Sequence, residues 1–466
     1  MLEPLRVSQN QRYLMTESGN PFFWLADTAW TLICHLKPKE IEEYFRKRQS
    51  QGFNVIQISA IDPETNLDLT NALGASPFIG TNPLIINPEY FNYLDLILDL
   101  ADKYELYIAL LPTWGELVTG WTWNCDGIGK LIDQTNAYNY GNWLGERYQK
   151  RTNIVWVLGG DRHPVHGDED YRPVWRKMAE GIAHGVTGNK LKWDTPDSAW
   201  NELLLTYHPC YTDSPEIYSS SQWLSDDAWL SFNMIQSGHR QQVENYRQIL
   251  EDYNRKPTRP VLDGEPNYED WQYSHEFHRE WDVRKRAYLS ILAGGCGHTY
   301  GHSSVWCMLD PIRGLEPGTL SWRGALDRPG AQQMIHLRRV MESRPIFDSI
   351  PDQDLITSRT WVAGTMDLRL QARIDNQGRF ALIYSTSGEK ISVDLTRFIG
   401  EYVFGWWFDP RTGLVCDANG VNITSPFIKV PTKGIYNFQP PTRGVDNDWL
   451  LVLDSENCKL SIPGII

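Results

Sequence analysis

The sequence predicts an α/β protein in which a (β/α)8 TIM barrel is followed by a small all-β sandwich domain. Short apolar strands alternate with amphipathic helices over residues 1–345, which implies parallel strands joined by right-handed crossovers. Eight strands occur in this part, and eight units favour a closed barrel over an open sheet. From residue 346 to residue 466 the pattern changes to short strands separated by turn residues, which predicts the second domain.

The barrel strands are apolar or β-branched runs, several of which end in glycine or polar residues. In chain order we predict them at residues 21–30, 53–59, 106–114, 153–161, 203–209, 230–238, 259–266 and 295–306. Apolar residues at three- and four-residue spacing predict helices at residues 39–52, 88–104, 136–150, 171–184, 241–253, 276–293 and 331–343. Residues 185–202 fit no pattern, and no glycine-rich phosphate loop follows the first strand, which disfavours nucleotide-binding folds.

The C-terminal module contains short strands such as YVFGWWFDPRTG and NDWLLVLD between Gly, Pro, Asp and Asn turns. Three of its tryptophans suggest a carbohydrate-binding platform: Trp361, Trp406 and Trp407. The alternative, which we favour, is that these side chains pack the sandwich or seal it against the barrel.

Composition and charge narrow the classes of function. The chain has 466 residues and a formal net charge of −14, so it lacks the basic character that a nucleic-acid backbone requires. No apolar run approaches the roughly 18 residues that span a bilayer, which argues against a membrane partner. The 20 Trp and 22 Tyr residues, many of the Trp beside Gly, Asp or His, favour an oligosaccharide partner, because aromatic rings offer sugars an apolar face. The sequence does not predict an oligomeric state.

The N-terminal segment and the cysteines bear on location. Residues 1–15 are polar and lack the apolar core of a signal peptide, which predicts a cytoplasmic protein as the sequence stands. An exported protein whose leader had been removed would look the same. The seven cysteines show no CxxC pairing, so neither a disulfide framework nor a zinc knuckle is predicted.

The active site of a barrel forms at the carboxyl ends of its strands. Two carboxylates there follow apolar strands through glycine: Asp161 in GGD and Glu265 in DGEP. Strands 4 and 7 lie nearly opposite each other, so these side chains would flank a bound sugar as an acid and a nucleophile or base, as glycoside hydrolysis requires. Other residues at the strand ends are predicted to bind the substrate: Asp27, Trp30, Trp114, Arg162, Tyr207, His208, Tyr300, His302 and Trp306.

Three alternatives remain open from the residues alone. Asp161 and Glu265 could be rim carboxylates paired with Arg162 or Arg259, and Asp263 could substitute for either. The close histidine pairs 298/302 and 163/166 raise the possibility of a metal-dependent barrel hydrolase. They lie in glycine- and proline-rich loops, however, where a helical spacing has little meaning. A barrel that binds carbohydrate without catalysis is the third alternative.

Six motifs in order carry a resemblance to a known family: PFFWLADTAW, GFNVIQIS, WVLGGDRHP, TYHP, VLDGEP and TYGHSSVW. Together they resemble the apiosidase-like glycoside hydrolases, family 140, and the tail YVFGWWFDPRTG resembles the β-module that follows the barrel there. The resemblance implies a bacterial enzyme acting on apiose-linked side chains of pectin. It also implies that Asp161 is the acid and base and that Glu265 is the nucleophile.

We therefore expect a retaining glycoside hydrolase of plant cell-wall, pectin-type oligosaccharides, with no metal and no organic cofactor. A retaining mechanism predicts carboxyl groups about 5–5.5 Å apart in one pocket, against about 6.5–9.5 Å for an inverting one. Asp161 should start protonated, with a raised pKa, and Glu265 should be ionised.

Overall fold

The structure is a computed structural model that describes residues 2–80, 85–122, 127–211, 218–311, 319–358 and 366–466. Its centre is a curled sheet of eight parallel strands, β1 to β8: Trp24–Thr28, Val55–Ser59, Tyr107–Leu111, Ile154–Gly159, Leu205–His208, Asn233–Gln236, Val261–Asp263 and Gly297–Tyr300. The spatial order is β5-β4-β3-β2-β1-β8-β7-β6. Every one of these strands lies inside a segment that the sequence predicted as a strand.

The two ends of this sheet, β5 and β6, come together without a ladder between them in the part of the chain that the structure describes. One backbone bond joins them, from the Ser231 N–H to the Leu205 carbonyl at 2.8 Å. The Thr206 hydroxyl adds a bond of 2.7 Å to the Phe232 carbonyl. The observed architecture is therefore a curled sheet of eight parallel strands whose two ends approach each other without a strand ladder between them in the described residues.

Helices cover the outside of the sheet, and the seven long ones, α1 to α7, are Pro38–Ser50, Pro88–Lys103, Ala137–Tyr148, Arg172–Thr187, Asn245–Asn254, Glu280–Leu292 and Pro329–Glu342. Single turns occur at Leu32–His35, Glu116–Thr119, Ser221–Leu224 and Trp322–Ala325. Helix α2 begins as the sequence predicts, because Pro88 occupies its first turn and the Asn87 side chain accepts the Glu89 N–H. Between β5 and β6 the helical structure of the described residues is limited to the turn at Ser221–Leu224, so the described part of this unit contains no long helix.

Residues 185–202, which fitted no pattern, prove to be the end of α4, a loop and a 3-10 turn at Ser198–Glu202. Before β1, an antiparallel sheet of Leu5–Val7, Leu14–Thr16 and Pro21–Phe22 begins the chain. Two short strand pairs lie in loops: Val165–His166 pairs with Glu169–Asp170 after β4, and Gln272–Tyr273 pairs with Glu276–Phe277 after β7. Tyr218–Ser219 pairs with β6.

The C-terminal strands β9 to β17 are Ser349–Pro351, Leu370–Asp375, Phe380–Ser385, Ile391–Asp394, Tyr402–Phe408, Val415–Cys416, Ile428–Pro431, Ile435–Phe438 and Trp449–Ser455. They form an antiparallel sheet in the order β9-β10-β11-β17-β13-β14, with β15 also paired to β13. A second, two-stranded sheet of β12 and β16 faces it. The module is therefore a sandwich-like antiparallel domain.

The larger C-terminal sheet is buried on both faces. Leu450 and Val452 of β17 belong to the same hydrophobic cluster as helices α6 and α7, whereas Leu451 and Leu453 belong to the core of the module itself. Such alternation follows from the two-residue period of a strand. The parallel sheet and the module thus share one continuous apolar core.

The tryptophans of this module pack rather than form a platform. Trp407 is fully buried in the module's core. Trp406 packs in the cluster shared with the parallel sheet, and its indole N–H donates to Asp454 at 3.1 Å. A carbohydrate-binding surface on these two residues is therefore wrong, because neither offers a ring to solvent. Trp361 lies outside the described residues.

Candidate active site

A cavity of about 330 Å³ opens at the carboxyl ends of the parallel strands. Five residues that the sequence predicted for the site line it: Trp30, Trp114, Asp161, Glu265 and Trp306. The remaining wall is formed by Glu64, Thr122, Tyr211, Gln236, His239, Tyr268 and Trp271. Both predicted catalytic carboxyls therefore lie in one pocket.

Asp161 follows β4 in an unusual backbone conformation. Gly159, Gly160 and Asp161 have φ angles of 90°, 98° and 53°, the region that glycine adopts freely and aspartate tolerates. A Cβ on Gly159 would lie 2.3 Å from the His208 carbonyl, and one on Gly160 would lie 2.9 Å from the Gly115 nitrogen. The two glycines thus allow the chain to turn inside a crowded strand end and bring Asp161 to the cavity.

Glu265 is almost completely buried and surrounded by donors. Its Oε2 lies 3.1 Å from Nε2 of His208 and accepts the Trp30 indole N–H at 3.3 Å. Its Oε1 lies 3.4 Å from Nε2 of His239. Burial raises the pKa of Glu265, but hydrogen bonds and charge from His208 and His239 outweigh burial, so the net pKa lies below its usual range. The carboxyl is therefore ionised, as a nucleophile must be.

His208 connects the two carboxyl residues. Its Nδ1 accepts the backbone N–H of Asp161 at 3.1 Å, so this nitrogen carries no proton in the neutral ring. The ring proton then belongs to Nε2, which faces Glu265. One imidazole thus accepts from the backbone of Asp161 and places its Nε2 beside the Glu265 carboxyl, although it does not itself line the cavity.

Aromatic rings form much of the cavity wall. Trp30 and Trp114 contact each other with centroids 5.3 Å apart. The His239 ring lies 4.4 Å from both Tyr268 and Trp271, and Trp271 lies 6.5 Å from Trp306. Burial and the nearby charge of Glu265 raise the pKa of Tyr268, which keeps its hydroxyl protonated. Such walls suit a ligand with apolar ring faces and hydroxyl edges.

Several predicted substrate-binding residues lie outside the cavity wall instead. Asp27 is fully buried, where it pairs with Arg48 at 2.6 Å and accepts the Tyr44 hydroxyl. The Tyr300 hydroxyl donates to Glu269 at 2.6 Å, and Nε2 of His302 lies 3.1 Å from Asp270. Each of these three side chains has a partner within the fold and none lines the cavity, which their position at strand ends does not reveal.

Arg162 and Tyr207 lie behind Asp161. The Arg162 guanidinium contacts the Asp161 carboxyl at 3.3 Å and stacks over Trp121 with 4.5 Å between guanidinium carbon and ring centroid. The Tyr207 hydroxyl donates to the Arg162 carbonyl at 2.8 Å. Both side chains therefore contact the loop that carries Asp161.

Sequence reasoning left several wall residues out of the site: Glu64, Thr122, Tyr211, Gln236, His239, Tyr268 and Trp271. Gln236 is the last residue of β6 and His239 comes three residues after it, so both carried the same strand-end signal as the residues that were chosen. Tyr268 and Trp271 come shortly after DGEP. Glu64 is in a loop five residues after β2, and no local pattern points to it.

The residues named in the alternative interpretations have other contacts in the structure. Asp263 is outside the cavity wall, and its carboxyl accepts bonds from Ser237 at 2.8 Å and Asn245 at 2.9 Å. Arg259 bonds to the carbonyls of Ser225 and Asp227 rather than to Glu265. His163 packs against Tyr218 and Trp223. Within the described ranges, no three His, Cys, Asp or Glu residues are grouped as a metal site would need.

Two family models match successive parts of the chain. Residues 8–348 match the family model described as "Apiosidase-like, catalytic domain". The chain belongs to the apiosidase-like family. Residues 350–454 match a second model, described as "Putative collagen-binding domain of a collagenase". Comparison with curated proteins finds no match.

Solved structures resemble the whole chain. One named "Glycoside hydrolase" is 28% identical with a TM-score of 0.82, covering 98% of each chain. A glycoside hydrolase family 5 structure from Bacteroides vulgatus ATCC 8482 is 27% identical with a TM-score of 0.83, covering 99% of this chain and 97% of that one. These relatives and the family membership establish the chain as a glycosidase. None of the helices in the described ranges has the length and apolarity to cross a bilayer.

Proposed function

We propose that this apiosidase-like protein is a retaining glycosidase that hydrolyses apiose linkages in pectin-type oligosaccharides of the plant cell wall. Glu265 is its nucleophile and Asp161 its general acid and base. The observation that carries the proposal is the pair of carboxyls in one aromatic cavity, of which Glu265 is held ionised by two histidines. The name of the matching family model supports apiose as the sugar.

The reaction has two steps. In the first, the Glu265 carboxylate attacks the anomeric carbon while Asp161 gives its proton to the glycosidic oxygen, which breaks the C–O bond and releases the leaving group. In the second, Asp161, now a carboxylate, takes a proton from water as the water oxygen attacks the same carbon and frees Glu265. Two displacements at one carbon retain its configuration.

We also propose that the curled sheet acts as a closed (β/α)8 barrel spanning residues 1–345, with residues 346–466 as the second domain. The bond between Ser231 and Leu205 supports closure between β5 and β6. The order of the eight parallel strands supports it as well. A closed sheet would place Asp161 and Glu265 on opposite sides of the same opening.

The experiment is a product screen by chromatography on pectin-derived oligosaccharides, with and without apiosyl side chains. We expect a product only where an apiosyl linkage is present, and we expect the activity to persist in EDTA. The E265Q variant is the control, because it keeps the side-chain shape and removes the nucleophile. Hydrolysis of apiose-free glycans alone would contradict the proposed sugar, and a loss in EDTA that zinc restores would contradict the mechanism.

A further inference from the structure

A third carboxyl, Glu64, lines the cavity on the side of Asp161. It lies in the loop after β2, where its backbone N–H donates to Asp62 at 2.8 Å. Its Oε1 accepts the Trp114 indole N–H at 2.7 Å. The side chain is 16% exposed, so it meets the cavity with only a small part of its surface.

The Arg162 guanidinium joins Glu64 to the proposed acid. Its Nη2 lies 3.5 Å from Oε1 of Glu64, and its Nη1 lies 3.3 Å from Oδ2 of Asp161. Nη2 also lies 3.7 Å from Oε2 of Glu116. The guanidinium side chain is 1% exposed, so solvent screens these contacts little. One buried guanidinium thus lies beside three carboxyl groups.

A single positive charge cannot balance this many buried negative charges, so the group must retain protons at neutral pH. Burial raises the pKa of Glu64 to about 8, and the charges of Asp62 and Asp161 add to the effect while Arg162 opposes it. Burial likewise raises the pKa of Asp62 to about 7, with a contribution from the charge of Glu116. The carboxyl groups of Glu64 and Asp62, which interact with each other, therefore hold protons near Asp161.

Other titratable groups surround this set. Cys210, after β5, has a thiol pKa that burial and the Asp161 charge raise well above its usual value. The remaining ones are His35, whose ring contacts Thr65 beside Glu64 at 2.8 Å, and the residues Glu265, His208 and His239 across the cavity. Asp62 and Asp161 act on Glu64 more directly than these groups do, because their charges raise its pKa.

We propose that Glu64 is a positioning residue for catalysis, whose carboxyl shares a proton with Asp161 across Arg162 and extends the acid function to higher pH. This inference rests on the proposed function of Asp161. When one proton remains on the pair, like-charge repulsion resists its loss. Asp161 can therefore hold a proton at a pH where an isolated aspartate beside an arginine would have lost it.

The test is the pH profile of kcat/KM for an unactivated oligosaccharide, measured on the full chain and on E64Q. The amide still accepts from Trp114 but has no charge, so we expect the alkaline limb to move down by about one pH unit or more. The acid limb should not move. The conservative variant E64D keeps the charge, and we expect its alkaline limb to stay near that of the wild type even if its kcat falls.

E180Q is the matched control, because Glu180 is also buried but pairs with Lys177 and Lys192 away from the cavity. An alkaline limb that stays in place in E64Q, with kcat lowered evenly at all pH values, would overturn the inference and assign Glu64 a structural role. If E64Q does not fold, E64S removes the same charge and must show the same shift. An inactive wild type would instead contradict the proposed function, so the two failures are distinguishable.

Discussion

At the residue scale, the two proposed catalytic carboxyls occupy different surroundings. Glu265 lies beside two histidines and accepts the indole N–H of one tryptophan, which favour its charged form. Asp161 shares a single buried arginine with two other carboxyls, which favours retention of a proton nearby. Environments that separate the protonation of two carboxyls are what acid and nucleophile roles require.

The first prediction concerns Asp161. In D161N the amide cannot donate a proton to the glycosidic oxygen, so substrates with poor leaving groups should lose about 10²–10⁴-fold in rate. Aryl glycosides with activated leaving groups need little protonation, and their first step should be much less affected. Steady-state kinetics on both substrate types measures the difference. Equal losses on both would argue that Asp161 is not the acid.

The second prediction concerns His208 and the acid side of the pH profile. In H208F the histidine contact with Oε2 of Glu265 is lost, and only His239 and the Trp30 indole N–H remain to oppose the effect of burial. The pKa of Glu265 should rise, because its charged form loses support. More of the nucleophile is then protonated at low pH, so the acid limb of kcat/KM should move to higher pH. An acid limb unchanged from wild type would show that His208 does not set the charge of Glu265.

At the element scale, the strand ends bring together residues that are distant in sequence. β4 and β7 could be predicted because their apolar runs end in GGD and DGEP, which mark a tight turn next to a polar group. The roles of Asp27 and Tyr300 could not, since both satisfy partners on neighbouring elements that only the fold brings near. Glu64 was missed for the same reason, because its contacts come from loops after β3 and β4.

The third prediction tests the turn after β4. G160A places a Cβ 2.9 Å from the Gly115 nitrogen at a φ of 98°, so the loop must shift and Asp161 with it. Together, strain and contact should cost on the order of 1–3 kcal/mol in unfolding free energy and reduce kcat.

G167A is the matched control for this change, because Gly167 also has a positive φ, 58°, but nothing lies within 4 Å of its Cβ. We expect G167A to lower stability slightly and to leave kcat near wild type. Denaturant unfolding and steady-state kinetics on both variants make the comparison. A G160A enzyme with unchanged kcat would contradict the view that this turn positions Asp161.

At the scale of the whole molecule, the sheet of the C-terminal module closes part of the apolar surface of α6 and α7. Buried ion pairs cross the same boundary. Arg284 of α6 pairs with Asp448 at 2.7 Å, and Arg344 pairs with Asp454 of β17 at 2.7 Å. The sequence predicted a sandwich-like module from its turn pattern, but it could not predict that both faces of one sheet would be covered, because strands buried on both faces lose the simple alternation.

The fourth prediction tests this boundary. D448A leaves the Arg284 guanidinium buried without its main partner, which should cost about 3–5 kcal/mol. The control, D348A, removes one of the two carboxyl partners of Arg379, an aspartate whose side chain is 57% exposed, and its effect should be about 1 kcal/mol or less. Thermal or urea unfolding measures both. Similar small effects from the two variants would show that the module is only loosely attached.

In the proposed mechanism Glu265 attacks the sugar, so the decisive measurement is to trap the covalent intermediate. An activated 2-fluoro glycoside of the released sugar slows the second step, so the glycosyl-enzyme should accumulate and can be located by mass spectrometry of peptides. We expect one equivalent of label on the side chain of Glu265, found in the peptide that contains it, and no label on the E265Q variant. Label on another carboxyl, or an inverted anomer as the first product by NMR, would contradict it.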